Sequence, residues 1–469
     1  MKDEWKMNGD RLKKSGIFFA MLLLVFLTAV ARQGDGRHQP LSGTIAGRTP
    51  DSAAGKGEGD VKTTGEGNGK ASGPTVEVSV ITCAPGTEVY ELYGHTAIRV
   101  RGTKDIAGKG TARFDSVWNY GVFDYNAPNF VGRFVKGDLR YMVAGYPFAW
   151  FMPEYQETGR RVTEQKLNLT PGEAARLHRA LQVNALPQNA TYNYDYVKDN
   201  CSTRVWDQIT AAVPLHTPDT MSRKAPYPTF REAMRHYHSH YPWYSLGIDV
   251  ALAYPVDTLI NRDDVLFLPE ELQRRLAVSL RPDGEPIVRE TVILNQGVPD
   301  ATLPPTPWWK GPDFWGWMLF AAACLYEFIC WRKGRSLKVF EALFFTVIGI
   351  AGSIIAYLVL FSSHRASSPN LLLIWLNPLA LVVPLFIWSR RLRFLVVAYM
   401  TAGVAAILFG AAFWGFQQQS GNTAFLPVLA TDILLSVCYI ALYNGGGKNT
   451  PTRRKGSKTS ARRKNYKRK

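Results

Sequence analysis

The residues best suited to do chemistry lie in Asp199-Asn200-Cys201-Ser202-Thr203-Arg204. Asp199 and Asn200 are strong helix N-cap types, and beyond Cys201 the residues Val205, Ile209, Ala212 and Val213 recur at helical spacing. This pattern predicts Cys201 in the first turn of a helix. Upstream, Tyr192, Tyr194 and Tyr196 alternate with polar residues, which predicts a half-buried strand. At a helix start, unpaired N–H groups and the positive end of the dipole favour thiolate, so the thiol is expected below its free value of about 8.5. Such a cysteine is a candidate nucleophile.

A nucleophile of this kind needs a base within reach and a third group to orient the base. His95, in Tyr93-Gly94-His95-Thr96-Ala97-Ile98-Arg99-Val100, stands at the head of a predicted strand, after a glycine that permits close backbone approach. Asn119 in Trp118-Asn119-Tyr120-Gly121 is the expected orienter, with Tyr120 and Asp124 as alternatives. Alternation puts Asn119 and Tyr120 on opposite faces without saying which face is inward. The other cysteine before the hydrophobic region, Cys83, ends an apolar strand, where it reads as a small hydrophobe or as a disulfide partner of Cys201. Two cysteines are too few for a zinc ribbon. Glu232, His236 and His240 would share a face if their helix ran almost to Pro242. The aromatic crowding of Arg235 to Tyr244 instead favours a segment at the membrane interface, and no metal is expected.

The elements that must position these groups follow from the pattern along the chain. Residues 1–31 carry Arg11, Lys13 and Lys14 before the uncharged run Ile17 to Ala31, and read as a signal peptide or N-terminal anchor. Residues 32–74, rich in Gly, Ser, Thr, Lys and Asp, read as a disordered tether. An α+β domain is expected over 75–305, with strands at Val76–Thr82, Tyr93–Arg101 and Val117–Phe123. A capping box at Thr170-Pro171-Gly172-Glu173 should open a helix to about Asn184. Over 306–444 five hydrophobic spans are expected, at about Phe314–Trp331, Val339–Phe361, Leu371–Trp388, Phe394–Trp414 and Ala424–Tyr443. The tail, 445–469, holds eleven of the basic residues and no acidic one.

That tail accounts for much of the formal net charge of +17. It follows hydrophobic spans directly, so it reads as a cytoplasmic flank and not as a nucleic-acid arm. The segments Trp331 to Lys338 and Ser389 to Arg393 are also basic, whereas Ser362 to Asn370 and Gly415 to Thr423 are nearly uncharged. With the α+β domain outside, every basic segment falls on the cytoplasmic side.

A histidine on an early strand followed by a later Asn-Cys at a helix start resembles the permuted papain-like fold of the NlpC/P60 superfamily, including its lecithin:retinol acyltransferase branch. More closely, the chain resembles the periplasmic domain of the Bacteroides-type lipoprotein N-acyltransferase (Lnb) family. The likeness rests on Leu92 to Val100, Trp118 to Asp124, Lys198 to Arg204, Gly247-Ile248-Asp249 and Leu266-Phe267-Leu268-Pro269. It implies an α+β permuted papain-like (NlpC/P60-like) extracytoplasmic domain followed by an all-α transmembrane bundle of five spans. It also implies a ping-pong acyltransferase in the inner membrane, moving an acyl chain from a phospholipid to the N-terminal amine of a lipoprotein. Cys201, His95 and Asn119 would be catalytic, and Tyr120, Asn200, Arg204, Lys136 and Arg140 would bind substrate. No cofactor and no nucleic-acid partner is expected. A membrane-anchored cell-wall peptidase or amidase, or a non-catalytic scaffold with Cys83 and Cys201 bridged, would fit the same residues.

Overall fold

A computed structural model describes residues 76–106, 110–124, 128–218, 224–298, 304–334, 336–413 and 418–445. The expected signal or anchor, the tether over 32–74 and the tail beyond residue 445 lie outside the described residues. Contacts group the chain into two units, each described on its own below. The first runs to Gly311 and takes in Tyr357–Leu371 and Gln418–Ser420; the second holds the remaining hydrophobic region.

The first unit is built on strands β1 (Val76–Cys83), β2 (His95–Ile106), β3 (Gly110–Val122), β4 (Arg140–Pro147), β5 (Val162–Leu167) and β6 (Thr191–Asn193). After a separate ribbon of β7 (Lys224–Thr229) and β8 (Leu259–Asn261), β9 (Val288–Asn295) completes the main sheet. The seven strands lie in the order β6-β4-β3-β2-β1-β5-β9, and every pairing is antiparallel.

Successive side chains point to opposite faces of a strand, so each strand here feeds two cores. Helices α1 (Phe130–Lys136) and α2 (Phe148–Glu157) flank β4, and α3 (Pro171–Asn184) and α4 (Cys201–Ala212) follow. One face of the sheet buries Val78, Val80, Ile98, Val100 and Tyr120 against Leu177 and Leu181 of α3 and Val205 and Ile209 of α4. The other buries Ile81, Cys83, Ala97 and Val117 against Phe151, Met152 and Tyr155 of α2. Further on, α5 (Phe230–His238), α6 (Pro242–Ala251) and α7 (Pro269–Val278) complete the unit, with Leu272 and Leu276 of α7 joining the first core.

The capping box forms as expected: the Thr170 hydroxyl accepts from Glu173 N–H, and Glu173 reaches back to Thr170 N–H. The tyrosine strand is shorter than alternation predicts. β6 ends at Asn193, because Asp195 Oδ1 accepts from the N–H groups of Val197 and Lys198 at 3.1 and 3.0 Å and turns the chain. An aspartate carboxylate that satisfies its own downstream backbone competes directly with a strand ladder.

Among the described residues four helices are long and apolar enough to cross a membrane: α8 (Pro312–Arg332), α9 (Val339–Phe361), α10 (Arg393–Phe413) and α11 (Phe425–Gly445). The fifth expected span, Leu371–Trp388, is not one continuous helix. It breaks into short helical turns around Asn377-Pro378, with Asn377 extended at φ −134° and its side chain capping Leu379 N–H. Pro378 holds the residue before it out of the helical region, and Pro384 removes a further N–H. Glycines on α9 let the broken segment approach closely: a Cβ at Gly349 would lie 2.6 Å from Leu381 Cγ, and one at Gly352 would collide with the Asn377 backbone. Small residues at such contacts are the usual route to close packing in a membrane. Gly352→Leu should therefore displace this segment and lower stability by on the order of 1–3 kcal/mol or more, read as a drop in the thermal midpoint of the full chain in detergent.

Candidate active site

Asn200 fixes the start of α4. Its Oδ1 accepts from the N–H groups of Ser202 and Thr203 at 2.9 and 3.1 Å, and the Thr203 hydroxyl accepts from Asn200 N–H in return. The Asn200 amide donates to the carbonyls of Phe267 and Tyr196 at 2.8 and 3.2 Å, which ties the cap to neighbouring loops. Cys201 thus occupies the first helical turn, as its sequence context predicts.

The helix start is docked on the head of β2. Thr96 and Ser202 share a buried hydroxyl–hydroxyl hydrogen bond of 3.0 Å. On the neighbouring strand Gly121, at φ +88°, leaves the space in which Cys201 sits: a Cβ there would be 4.0 Å from the Cys201 Cβ. The β2–β3 register begins at the pair Ala97 and Asn119, so His95 and Gly121 lie just beyond its last pair. Cys201, Thr96 and Gly121 meet where β2 begins and β3 ends, and His95 is the residue before Thr96.

His95 pairs in register with Cys83 on its other side. Gly94, at φ +80°, makes this possible, because a side chain there would strike the Cys83 carbonyl. Tyr93, one residue earlier, is packed edge-on against Tyr196 and His238 at ring separations of 5.2 and 5.3 Å, and its hydroxyl meets His238 Nε2. His238 from the histidine run is thus a buried structural partner of the strand head. The helix carrying that run stops at His238, so His240 does not share a helical face with Glu232 and His236.

The His95 ring is oriented by Asn119, whose Oδ1 lies 2.5 Å from Nε2, while the Asn119 amide donates to the Tyr146 hydroxyl at 2.9 Å. An amide oxygen only accepts, so this bond keeps the ring proton on Nε2 and leaves Nδ1 as the basic nitrogen. Burial and the nearby Arg160 guanidinium hold the imidazole low, at about 4. Arg160 is itself fixed by the Ala84 carbonyl and Glu91 at 2.9 and 2.8 Å.

The expectation of a lowered Cys201 thiol is not met. Burial raises it, and contacts from Thr96 and Ser202 only partly oppose that effect. Cys83 is pushed up to about 12, chiefly by burial. Both cysteines are free, so the bridge that a Cys83–Cys201 scaffold would need is not formed. The resting site holds a neutral thiol and a neutral imidazole.

The other expected contact residues are distributed differently. Tyr120 faces the α3–α4 core, with its hydroxyl accepting from the Asn184 amide at 3.1 Å. Arg204 lies over the Tyr192 ring and forms a bidentate pair with Asp199 at 2.6 and 2.7 Å. Lys136 and Arg140 are exposed at the end of α1 and the start of β4. Thr96, Ser202, Tyr146 and Arg160 escaped the sequence reading. Adjacency to His95 and Cys201 could have flagged Thr96 and Ser202, whereas Tyr146 and Arg160 reach the site only through folding.

These features define a multi-pass membrane protein with a periplasmic domain of mixed α/β structure. Residues 68–236 match the family model described as the Lnb N-terminal periplasmic domain, and residues 306–445 match the Lnb transmembrane domain. The chain belongs to the Lnb family, and membership implies an acyltransferase. No curated protein and no solved structure matches it.

With a raised thiol only 8% exposed, Cys201 should react with iodoacetamide at pH 7 far more slowly than a free cysteine. Its rate should still be climbing at pH 9, as followed by mass spectrometry of the Cys201 peptide in the folded protein. A rate levelling off below pH 8 would show a thiolate instead.

Proposed function

We propose that this protein is a lipoprotein N-acyltransferase of the inner membrane. It takes an acyl chain from a phospholipid and delivers it to the α-amine of a lipoprotein's N-terminal diacylglyceryl-cysteine. The observation that carries this reading is a chain with both Lnb domains in which Cys201 opens a capped helix anchored to Thr96, the residue after a His95 ring oriented by Asn119. The antiparallel sheet, with histidine heading β2 and cysteine opening the helix docked on it, supports a permuted papain-like domain. Uncharged and basic connections alternate through the hydrophobic region, which supports a fifth, discontinuous span at Leu371–Phe386 with a cytoplasmic Arg390-Arg391 turn after it.

The reaction proceeds in two halves. His95 Nδ1 takes the Cys201 proton as sulfur attacks the ester carbonyl; the S–C bond forms, the C–O bond breaks, and the proton passes to the departing lysophospholipid oxygen. In the second half the lipoprotein amine attacks the thioester. The N–C bond forms, the C–S bond breaks, and the amine proton returns through His95 to the sulfur. The Ser202 and Thr203 N–H groups are committed to the Asn200 cap. The Cys201 N–H, at the open start of α4, is left to hold the oxyanion, in a buried site where such a donor acts most strongly. A neutral resting pair suits general-base activation at the moment of attack. Peptidase chemistry would use the same pair, but the Lnb transmembrane match favours a lipid substrate.

In cells with no redundant enzyme, mass spectrometry of a lipoprotein N-terminal peptide should find the amide-linked chain with the intact protein. With Cys201→Ala it should be lost, a fall in transfer of more than about 10³-fold; equal acylation in both would end the proposal. The pH profile gives a second check. The base must be neutral, and His95 becomes protonated only near pH 4, so kcat/KM for the phospholipid donor should hold from pH 7 to about 5 and fall as pH drops through about 4. An acid limb near the ordinary histidine value of 6.5 would show a histidine base that burial does not hold low, and an acid limb that persists in His95→Ala would remove His95 from this role.

A further inference from the structure

We infer that a cleft at the end of the main sheet, next to the strand head that carries His95, binds the phosphate of the phospholipid acyl donor. This inference rests on the acyltransferase reading and names where the donor's headgroup is held. The cleft measures about 580 Å³, within the usual range for small-molecule sites. Its apolar lining includes Pro85 and the buried Leu92, and its polar lining includes Arg161, His236, Ser239 and His240. Glu270 of α7 is the one carboxylate among the described lining residues, and it is already engaged. The Tyr237 hydroxyl donates to it at 3.1 Å, and the Arg274 guanidinium stands 3.9 Å away.

Among the described residues, the side chains of Arg161, His236, Ser239 and His240 make no hydrogen bond or ion pair. Each of these residue types can donate, and a guanidinium carries a fixed positive charge. Four unengaged donors around one space, against a carboxylate that is taken, select an anion. The planar fork of Arg161 matches paired phosphate oxygens, and the apolar lining suits the glycerol carbons beside them. The sheet register sets this cleft beside the chemistry. His95 pairs with Cys83, and Cys83 pairs on its other side with Val162, the residue after Arg161. Neighbouring strands stand about 4.8 Å apart, so the Arg161 backbone lies roughly 10 Å from that of His95 along the sheet's end. The Ala84 N–H donates to the Arg161 carbonyl at 2.9 Å, which joins the turn lining the cleft to the head of β5. Tyr237, also in the lining, packs on Tyr93, two residues before His95, at a ring separation of 5.6 Å. Cys201 sits on the β3 side of His95, against Gly121, and the cleft lies on the β1–β5 side. A donor whose phosphate rests in the cleft would extend its ester past His95 towards the thiol.

The test uses full-length Cys201→Ala protein in a phosphate-free maltoside detergent, with a phosphatidylethanolamine bearing a diazirine on its headgroup nitrogen. After illumination, cross-links should map to peptides containing Arg161 and His236 to His240. Arg161→Glu should reduce them several-fold with an unchanged thermal midpoint. Glycerophosphoethanolamine should compete the labelling away, whereas inorganic phosphate at the same concentration should not. Equal competition by inorganic phosphate would mean a site for free phosphate and overturn the lipid assignment. Cross-links elsewhere, or unaffected by Arg161→Glu, would overturn the site. With Cys201 intact, Arg161→Glu should raise KM for the phospholipid several-fold, and an unchanged KM would count equally against it. Labelling needs no turnover, so the two failures are distinct. A labelled cleft in a protein that acylates no lipoprotein would refute the reaction and leave the phospholipid site standing, whereas acylation without cleft labelling would refute only the site.

Discussion

The antiparallel register between β1, β2 and β3 is the constraint on which the site depends. It sets Cys83 beside His95 and carries Asn119 to the imidazole. A slip of one residue would send every one of these side chains to the other face of the sheet. The register is held by two buried faces at once, because Val80 and Ile98 belong to one core while Ile81 and Ala97 belong to the other. Helix α4 then needs only a few polar anchors, Thr96 to Ser202 and Asn200 to Phe267, to bring its first turn against a strand head that is already placed.

The same arrangement sets the electrostatics. A helix N-terminus favours thiolate, but its effect is worth roughly 0.3–1 kcal/mol at exposed sites and up to ~2 when partly buried, whereas desolvation can move a fully buried group by several pKa units. At Cys201 burial wins, and at His95 burial and Arg160 act in the same direction. Both groups rest uncharged. In the proposed reaction the cost of charging them would fall at the moment when a substrate's oxyanion develops.

Local signals were the legible ones. The Asn200 cap, the Thr170 box, Cys201 in its first turn and strands near Val76, His95 and Val117 could all be read, because each depends on residues a few positions apart. Asn119 could be named, but its facing could not be chosen over that of Tyr120, since alternation fixes parity and not direction. What the sequence hid was set by competition between energies. Dipole against burial decided the Cys201 thiol, an aspartate turn cut short the tyrosine strand, and Pro378 interrupted an otherwise convincing apolar span. His238 was hidden for another reason: its partner Tyr93 lies 145 residues away.

The first unit is not a continuous stretch of chain. Ala366 accepts from Ala253 N–H, Asn370 donates to the Val250 carbonyl, and Gln419 in turn bonds Asn370 and Leu371. During synthesis these pieces emerge long after β1 to β9, separated from them by stretches that must first enter the lipid. On the proposed five-span topology, the extracytoplasmic body would be finished only when the last of its three segments had been exported, and its maturation would be tied to correct membrane insertion. A chain with one hydrophobic segment wrongly inserted would then strand Ser363 or Gln419 on the far side of the bilayer and leave that body unclosed. On that topology, the hydrophobic region would act as a checkpoint on the folding of the domain outside it.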